Sequence, residues 1–202
     1  MFKLRLNYRI KILFEKEWSN LNNEINKIDT TLIKNSSSIN ILSELLIVAE
    51  DHRFKSHYGI DIIALFRAVW RTFFCNKREG ASTIAMQLVR TLRGNYDLSI
   101  NRKVSEIALA IKLTKTINRE EIILLYLSKA YFGWNMYGIK DACVKLGMNI
   151  DTLSLNEAAS LIARLKYPEP RNNLINRKEK IKIRSCYIVN RYTKIKGYFG
   201  SI

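Results

Sequence analysis

Two glutamates stand where a carboxylate can work as an acid or a base. Glu50 closes a run dense in apolar residues (Ile41, Leu42, Leu45, Leu46, Ile47, Val48, Ala49), with Leu46 one helical turn behind it on the same face. The C-terminal end of a helix carries partial negative charge, and partial burial strips water from the group. Both favour a carboxylate that takes up a proton readily, as a general base must. An exposed glutamate opening a loop fits the same position. Glu106 shares a helical stripe with Arg102, Leu109 and Leu113, and Lys103 lies three residues before it. That pattern is either a structural ion pair of the common i,i+4 kind or an acid held among cations in a site.

The run Gly80 to Arg90 (GASTIAMQLVR) places two small residues before Ser82 and Thr83 at the start of a helix. Free backbone N–H groups and hydroxyls there suit a phosphate or sugar oxygen, although an ordinary N-cap has the same residues. Gln87 and Arg90, three apart, can face one ligand. His57, beside Tyr58 and Gly59, reads equally as a loop histidine that stabilises its own turn and as a catalytic one. Trp70, Phe73 and Phe74 precede Lys77 and Arg78. They are either core or an apolar finger that dips into lipid with cations at the headgroups.

Helices must carry these groups. The apolar run over 40–51 predicts a buried helix, followed by a polar loop over 52–60. Asp61 caps a helix to about Cys75. Ser82 or Thr83 starts another, ended by Gly94, and a further helix covers about 101–116. Asn118 with Glu121 forms a capping box for a helix reaching Phe132, with Gly133 behind it; Ser154 with Glu157 forms a second, for a helix ending before Pro168. A last basic helix runs from about 176 into the 190s. The fold class expected is mainly α, as one domain over 39–202 behind a basic N-terminal segment, 1–38, that ends in the linker-like Asn35–Ser38. Within that segment Phe2, Leu4, Leu6, Tyr8, Ile10 and Ile12 alternate with polar residues, which is strand-like; a basic amphipathic helix on a membrane also fits.

Composition bounds the function. The 202 residues suit one domain, and 48% hydrophobic residues with 2 prolines exclude a disordered polymer. Lys and Arg total 34 against 18 acids, a net +16, which points to an anionic partner (nucleic acid, an anionic membrane face or a phosphorylated substrate) or to a merely solvated basic surface. Cys75, Cys143 and Cys186 show no CxxC spacing, so no zinc site or disulfide framework is expected and packed free thiols are. The longest apolar run near the start is Ile12-Leu13-Phe14, short of the roughly 7–15 residues of an export signal and the roughly 20 of a spanning helix.

Taken in order, the motifs resemble glycosyltransferase family 51. Glu50-Asp51-His52-Arg53-Phe54 through His57-Tyr58-Gly59, with Arg67-Ala68, resembles its first motif, and Gly80 to Arg90 its second. Arg102-Lys103-Val104-Ser105-Glu106 through Ala110 is similar to the third, Glu121 to Ser128 with Tyr131-Phe132-Gly133 to the fourth, and Glu157-Ala158-Ala159 with Arg164 and Pro168 to the fifth. The resemblance implies a lysozyme-like helical fold of the monofunctional type. It implies lipid II, a disaccharide-peptide on undecaprenyl pyrophosphate, as acceptor and a growing glycan strand as donor. Glu50 would be the base, and Glu106 would assist departure of the pyrophosphate directly or through a divalent metal such as Mg²⁺. Ser82, Thr83, Gln87, Arg90, Arg102 and Lys103 fall at substrate-binding positions. The resemblance also implies work at the periplasmic face of the inner membrane beside other cell-wall synthesis proteins, with no nucleic acid. Five positions depart from the family pattern: Ala81 for a second Gly, Ala85-Met86 for Thr-Gln, Ser128 for Asn and Thr114 for Glu. These leave open a non-catalytic domain that grips lipid-linked glycan. A lytic enzyme that cleaves glycan fits the implied fold, and a nucleic-acid binder fits the charge alone.

Overall fold

A computed structural model describes residues 2–75, 80–97, 99–172 and 175–199, the side chains of 2–10 and 198–199 excepted. The chain runs α1 (Phe2–Asn26), α2 (Thr31–Lys34), α3 (Ile39–Glu50), α4 (Ile62–Phe74), α5 (Ile84–Arg93), α6 (Ile100–Thr116) and α7 (Arg119–Lys129). A small hairpin of β1 (Tyr131–Gly133) and β2 (Met136–Tyr137) follows, then α8 (Ile139–Leu146), α9 (Leu155–Lys166) and α10 (Ile175–Phe199). The fold is mainly α, as expected.

Local chemistry sets the helix ends. Asp61 accepts from the Ala64 N–H, Thr83 from Met86, Ser99 from Arg102 and Asn118 from Glu121. Ser154 and Glu157 complete a reciprocal capping box. Gly94 ends α5 in the left-handed conformation. The core lies where α3, α5, α7 and α9 meet. Leu42, Leu45, Leu46, Ile84, Leu88, Ile122, Leu125, Leu161 and Ile162 are almost wholly buried there. Helix α5 packs on α6 and α7, while α10 lies over α9 and α3.

Four expectations are corrected. The N-terminal alternation does not make a strand: Phe14, Trp18, Leu21 and Ile25 recur at helical spacing and pack on the core, so the 3.6-residue period there decides the segment and α1 is helical throughout. The core also crosses the expected boundary at 38/39. Ile33 is buried, Ser36 Oγ donates to the Ile150 carbonyl at 2.7 Å, and the Leu153 N–H donates to Ser38 Oγ at 3.1 Å, so the Ser-rich stretch is a packed turn. Third, α7 stops at Lys129 and Phe132 lies in β1. Glu169 pairs with both sides of Gly133, donating to the Phe132 carbonyl and accepting from the Trp134 N–H, each at 2.9 Å. Gly133 has φ +147, and a Cβ there would lie 2.5 Å from Glu169 atoms, so only glycine permits this approach. Of the cysteines, all free, Cys143 is packed as expected, but Cys75 and Cys186 are exposed.

Candidate active site

The loop after α3 is built as a rigid frame. Asp51, buried, accepts from the Ile84 N–H at 3.1 Å and meets His57 Nε2 at 2.8 Å. Arg53 makes a bidentate pair with Asp61, at 2.9 and 2.8 Å. Arg119 donates to the carbonyls of Phe54 and His57. Thr83 Oγ1 donates to the Gly59 carbonyl at 2.7 Å while accepting from Met86, so this hydroxyl is engaged in both directions and helps hold the frame. Gly59 lies against α6 so closely that a Cβ would sit 2.4 Å from the Ala110 carbonyl, at φ +78. His57 thus stabilises its own loop.

Glu50 ends α3 at the rim of this frame, its side chain 16% exposed. Gln87 Nε2 donates to Oε2 at 3.4 Å and Arg184 Nη2, from α10, to Oε1 at 3.3 Å. Gln87 is itself held by Tyr126, whose hydroxyl donates to Gln87 Oε1 at 2.7 Å. Burial pushes the Tyr126 phenol up, so it remains a donor at any ordinary pH.

Glu106 sits differently, with its side chain 1% exposed. Arg90 grips it through Nε at 3.0 Å and Nη2 at 2.9 Å, Lys103 Nζ donates at 2.8 Å, and Arg102 Nη1 donates to Oε2. Ser82 Oγ accepts from Arg90 Nη2 at 3.2 Å and from Lys103 Nζ at 3.0 Å. Burial alone would raise the Glu106 carboxyl, but hydrogen bonds from Arg90 and Lys103 and their charges hold it below the usual carboxylate range. Burial lowers the Lys103 ammonium against the opposing pull of Glu106.

Of the sequence candidates, Glu50 and Gln87 come together, as do Glu106, Arg90, Arg102, Lys103 and Ser82; α5 joins the two groups. Two clefts flank them. One of about 420 Å³ is lined by Gln87, Arg90, Tyr96, Tyr126, Tyr131 and Tyr137 among others. The other, about 290 Å³ and mainly apolar, is lined by Ala68, Val69, Phe73, Met86, Ser82 and Lys103 among others. The divalent cation expected at Glu106 does not fit this donor set. Both carboxylate oxygens already accept from cations, which would repel a metal ion. Among the described residues no three His, Cys, Asp or Glu side chains gather into a metal-binding group.

Sequence reasoning missed Tyr126 and Arg184. Tyr126 carries a polar tip inside the apolar run Ile122–Leu127, and such a tip needs a buried partner. Arg184 lies in a helix whose charges read as a solvated face and gives no such signal. The departures from the family pattern are satisfied locally. Ala85 and Met86 are buried, and the hydroxyls of Thr114 and Ser128 donate to carbonyls of their own helices, Ala110 and Leu124.

A family model described as Transglycosylase matches residues 15–193. The chain belongs to the transglycosylase family. It is 38% identical over 130 residues to penicillin-binding protein 1A of Escherichia coli, covering 63% of this chain and 15% of that protein. Penicillin-binding protein 1A of Neisseria flavescens is 34% identical over 152 residues, 74% of this chain and 19% of that one. A Cupriavidus necator protein, named as a candidate transglycosylase, is 34% identical over 155 residues, 76% of this chain and 67% of its own length. The chain therefore spans less than a fifth of the penicillin-binding proteins it matches. The matched span contains both glutamates, the Arg90–Lys103 cluster and both clefts, so the transglycosylase domain and the site coincide.

Proposed function

We propose that this domain is a peptidoglycan glycosyltransferase that polymerises lipid II at the periplasmic face of the inner membrane. One observation carries the reading. Helix α5 presents Gln87 to Glu50 and, three residues on, Arg90 to Glu106, so the two carboxylates work on one surface in separate roles, as glycosyl transfer requires. Glu50 takes the proton of the acceptor sugar's 4-hydroxyl. That oxygen bonds to the anomeric carbon of the donor with inversion, the bond from that carbon to the pyrophosphate oxygen breaks, and undecaprenyl pyrophosphate leaves. Negative charge grows on the leaving group. Arg90, Arg102 and Lys103 against the single Glu106 leave a net positive cluster already fixed in place, and preorganised charge of this kind lowers the barrier. Glu106 acts by holding those cations.

The membrane supports the same reading. Among the described residues no helix is long and apolar enough to cross it. Instead α4 turns Phe66, Trp70, Phe73 and Phe74 outward, at 60–80% exposed, and packs inward through Ala64 and Ala68. Such a face suits shallow insertion into lipid; Lys77 and Arg78, expected at the headgroups, lie outside the described residues. The apolar cleft runs from α4 to Lys103, so a prenyl chain can lie in it with its pyrophosphate at the cations.

Purified protein incubated with lipid II should yield glycan polymer and release undecaprenyl pyrophosphate, and Glu50→Gln should bind lipid II without forming product. Absence of polymer from the unmodified chain would overturn the proposal, and conversion of finished wall to muropeptides would replace it with a lytic activity.

A further inference from the structure

We propose that Arg184, on the C-terminal helix α10, is a positioning residue that aims the Glu50 carboxylate at the acceptor hydroxyl. The inference rests on Glu50 being the base, as proposed above, and goes beyond it by naming what holds that base. Two negative features stand side by side at the end of α3: the Ala49 carbonyl, left without a helical partner there, and the Glu50 side chain. Arg184 Nη2 bridges both, at 2.8 Å to the carbonyl and 3.3 Å to Oε1. The Tyr187 ring, one turn on along α10, lies 5.2 Å from the guanidinium carbon and adds a cation–π contact. Arg184 Nε is buried with no hydrogen-bond partner. A fold that keeps an unmet N–H in its interior calls for an explanation, and the contacts of Nη2 supply one: the guanidinium is placed for what that nitrogen holds.

The other carboxylate oxygen is held from the opposite element. Gln87 on α5 donates to Oε2 at 3.4 Å and is itself fixed by Tyr126 of α7. Both contacts to Glu50 are long, so each oxygen is oriented yet can still accept a shorter bond from an incoming hydroxyl. The base is thus aimed by two helices that converge on it. Helix α10 also ties α3 a second time, away from the site, where Tyr192 and Lys196 bond Glu44 at 2.7 and 3.1 Å. That second tie separates aiming from mere helix docking.

The experiment compares Arg184→Ala and Arg184→Lys with Tyr192→Phe and Lys196→Ala in the lipid II polymerisation assay, with thermal unfolding measured for each. Misplacement of a catalytic group by an ångström costs rate on the order of 100-fold. Arg184→Ala is expected to lower kcat by about 10–100-fold with KM for lipid II within about twofold, and Arg184→Lys, which keeps one donor and the charge, to recover part of the loss. Tyr192→Phe and Lys196→Ala should keep kcat within about twofold whatever they do to Tm. The inference is overturned if Arg184→Ala turns over normally, if its loss appears in KM alone, or if the Glu44-side variants lose rate in the same proportion to their fall in Tm. Polymer from the unmodified chain with a normal Arg184→Ala rate overturns the role of Arg184 alone; no polymer from the unmodified chain overturns the function reading itself.

Discussion

The neighbourhoods of Glu106 and Glu50 use the same side chain in opposite ways. Glu106 has lost nearly all contact with water and accepts from three cations at hydrogen-bond distance. Glu50 keeps a partly open face, and its neighbours reach it at 3.3 and 3.4 Å. A carboxylate clamped by three cations is locked in its ionised form and is a poor proton acceptor, because any proton must compete with Arg90 and Lys103. It is, however, a firm anchor for those cations. A carboxylate held loosely at a rim can meet a substrate hydroxyl and take its proton. Under the proposed function the two surroundings divide the chemistry: one glutamate would fix charge and the other would move a proton.

This division is broken most directly at Glu50. Glu50→Gln keeps the shape and one of the two long contacts, because its amide nitrogen cannot accept from Gln87 or Arg184, and it cannot take a proton. Polymerisation should fall by at least about 10³-fold, the scale of a lost general base, with thermal stability unchanged. A variant that polymerises at the normal rate would end the assignment. Glu106→Gln should behave differently, since it removes the anion from among three cations. Breaking a buried pair in this way costs about 3 kcal/mol of stability, the low end of the range because Arg90 and Lys103 face a cleft. Rate should fall too, as the cations lose their fixed positions. The pH dependence gives the sign. The fold holds the Glu106 carboxyl below its unfolded value, so its stabilisation is complete above that value, about 4.3, and is lost as pH falls through the folded one. In thermal unfolding from pH 7 down to 3, the gap between wild type and Glu106→Gln should be widest near neutrality and close in acid. A gap that stays constant would mean Glu106 is not held ionised.

Much of this was legible in the sequence because it is local. The caps at Asp61, Thr83, Asn118 and Ser154 announced their helices through side chains that bond within three residues. The Arg102–Lys103–Glu106 part of the charged cluster lies on one helix, where spacing fixes proximity. What was not legible depends on long-range packing. Arg184 stands 134 residues from Glu50, in a helix whose charges resemble any solvated face. The β1–β2 hairpin carries Phe132 and Gly133 as an apolar continuation of α7, and only the pairing with Glu169 turns it. The N-terminal alternation over 2–12 was a true pattern, overruled by the helical stripe that starts at Phe14 and finds a core to join. Thr83 was read for its hydroxyl, but the Gly59 carbonyl already receives it.

Tyr126→Phe probes the looser side of the comparison with a smaller effect. It removes the donor to Gln87 and leaves a buried amide oxygen unmet, a loss of about 1 kcal/mol in stability. Gln87 is then free to turn from Glu50, and the polymerisation rate should drop about tenfold. A rate equal to wild type would show that Gln87 does not help to orient Glu50. Ser154→Ala is the smallest change and the calibrator for the rest. It breaks the reciprocal capping box of α9, at a cost of about 1 kcal/mol, which for a chain of this size lowers Tm by about 2–4 °C. The cap touches neither glutamate, so kcat should stay at wild type below the melting range. Tyr126→Phe and Ser154→Ala thus predict near-equal stability losses with unequal rates. If Ser154→Ala slowed polymerisation as much as Tyr126→Phe, loss of rate would be tracking global stability, and the distinction between a locked and a mobile glutamate would have to be established by some means other than kinetics.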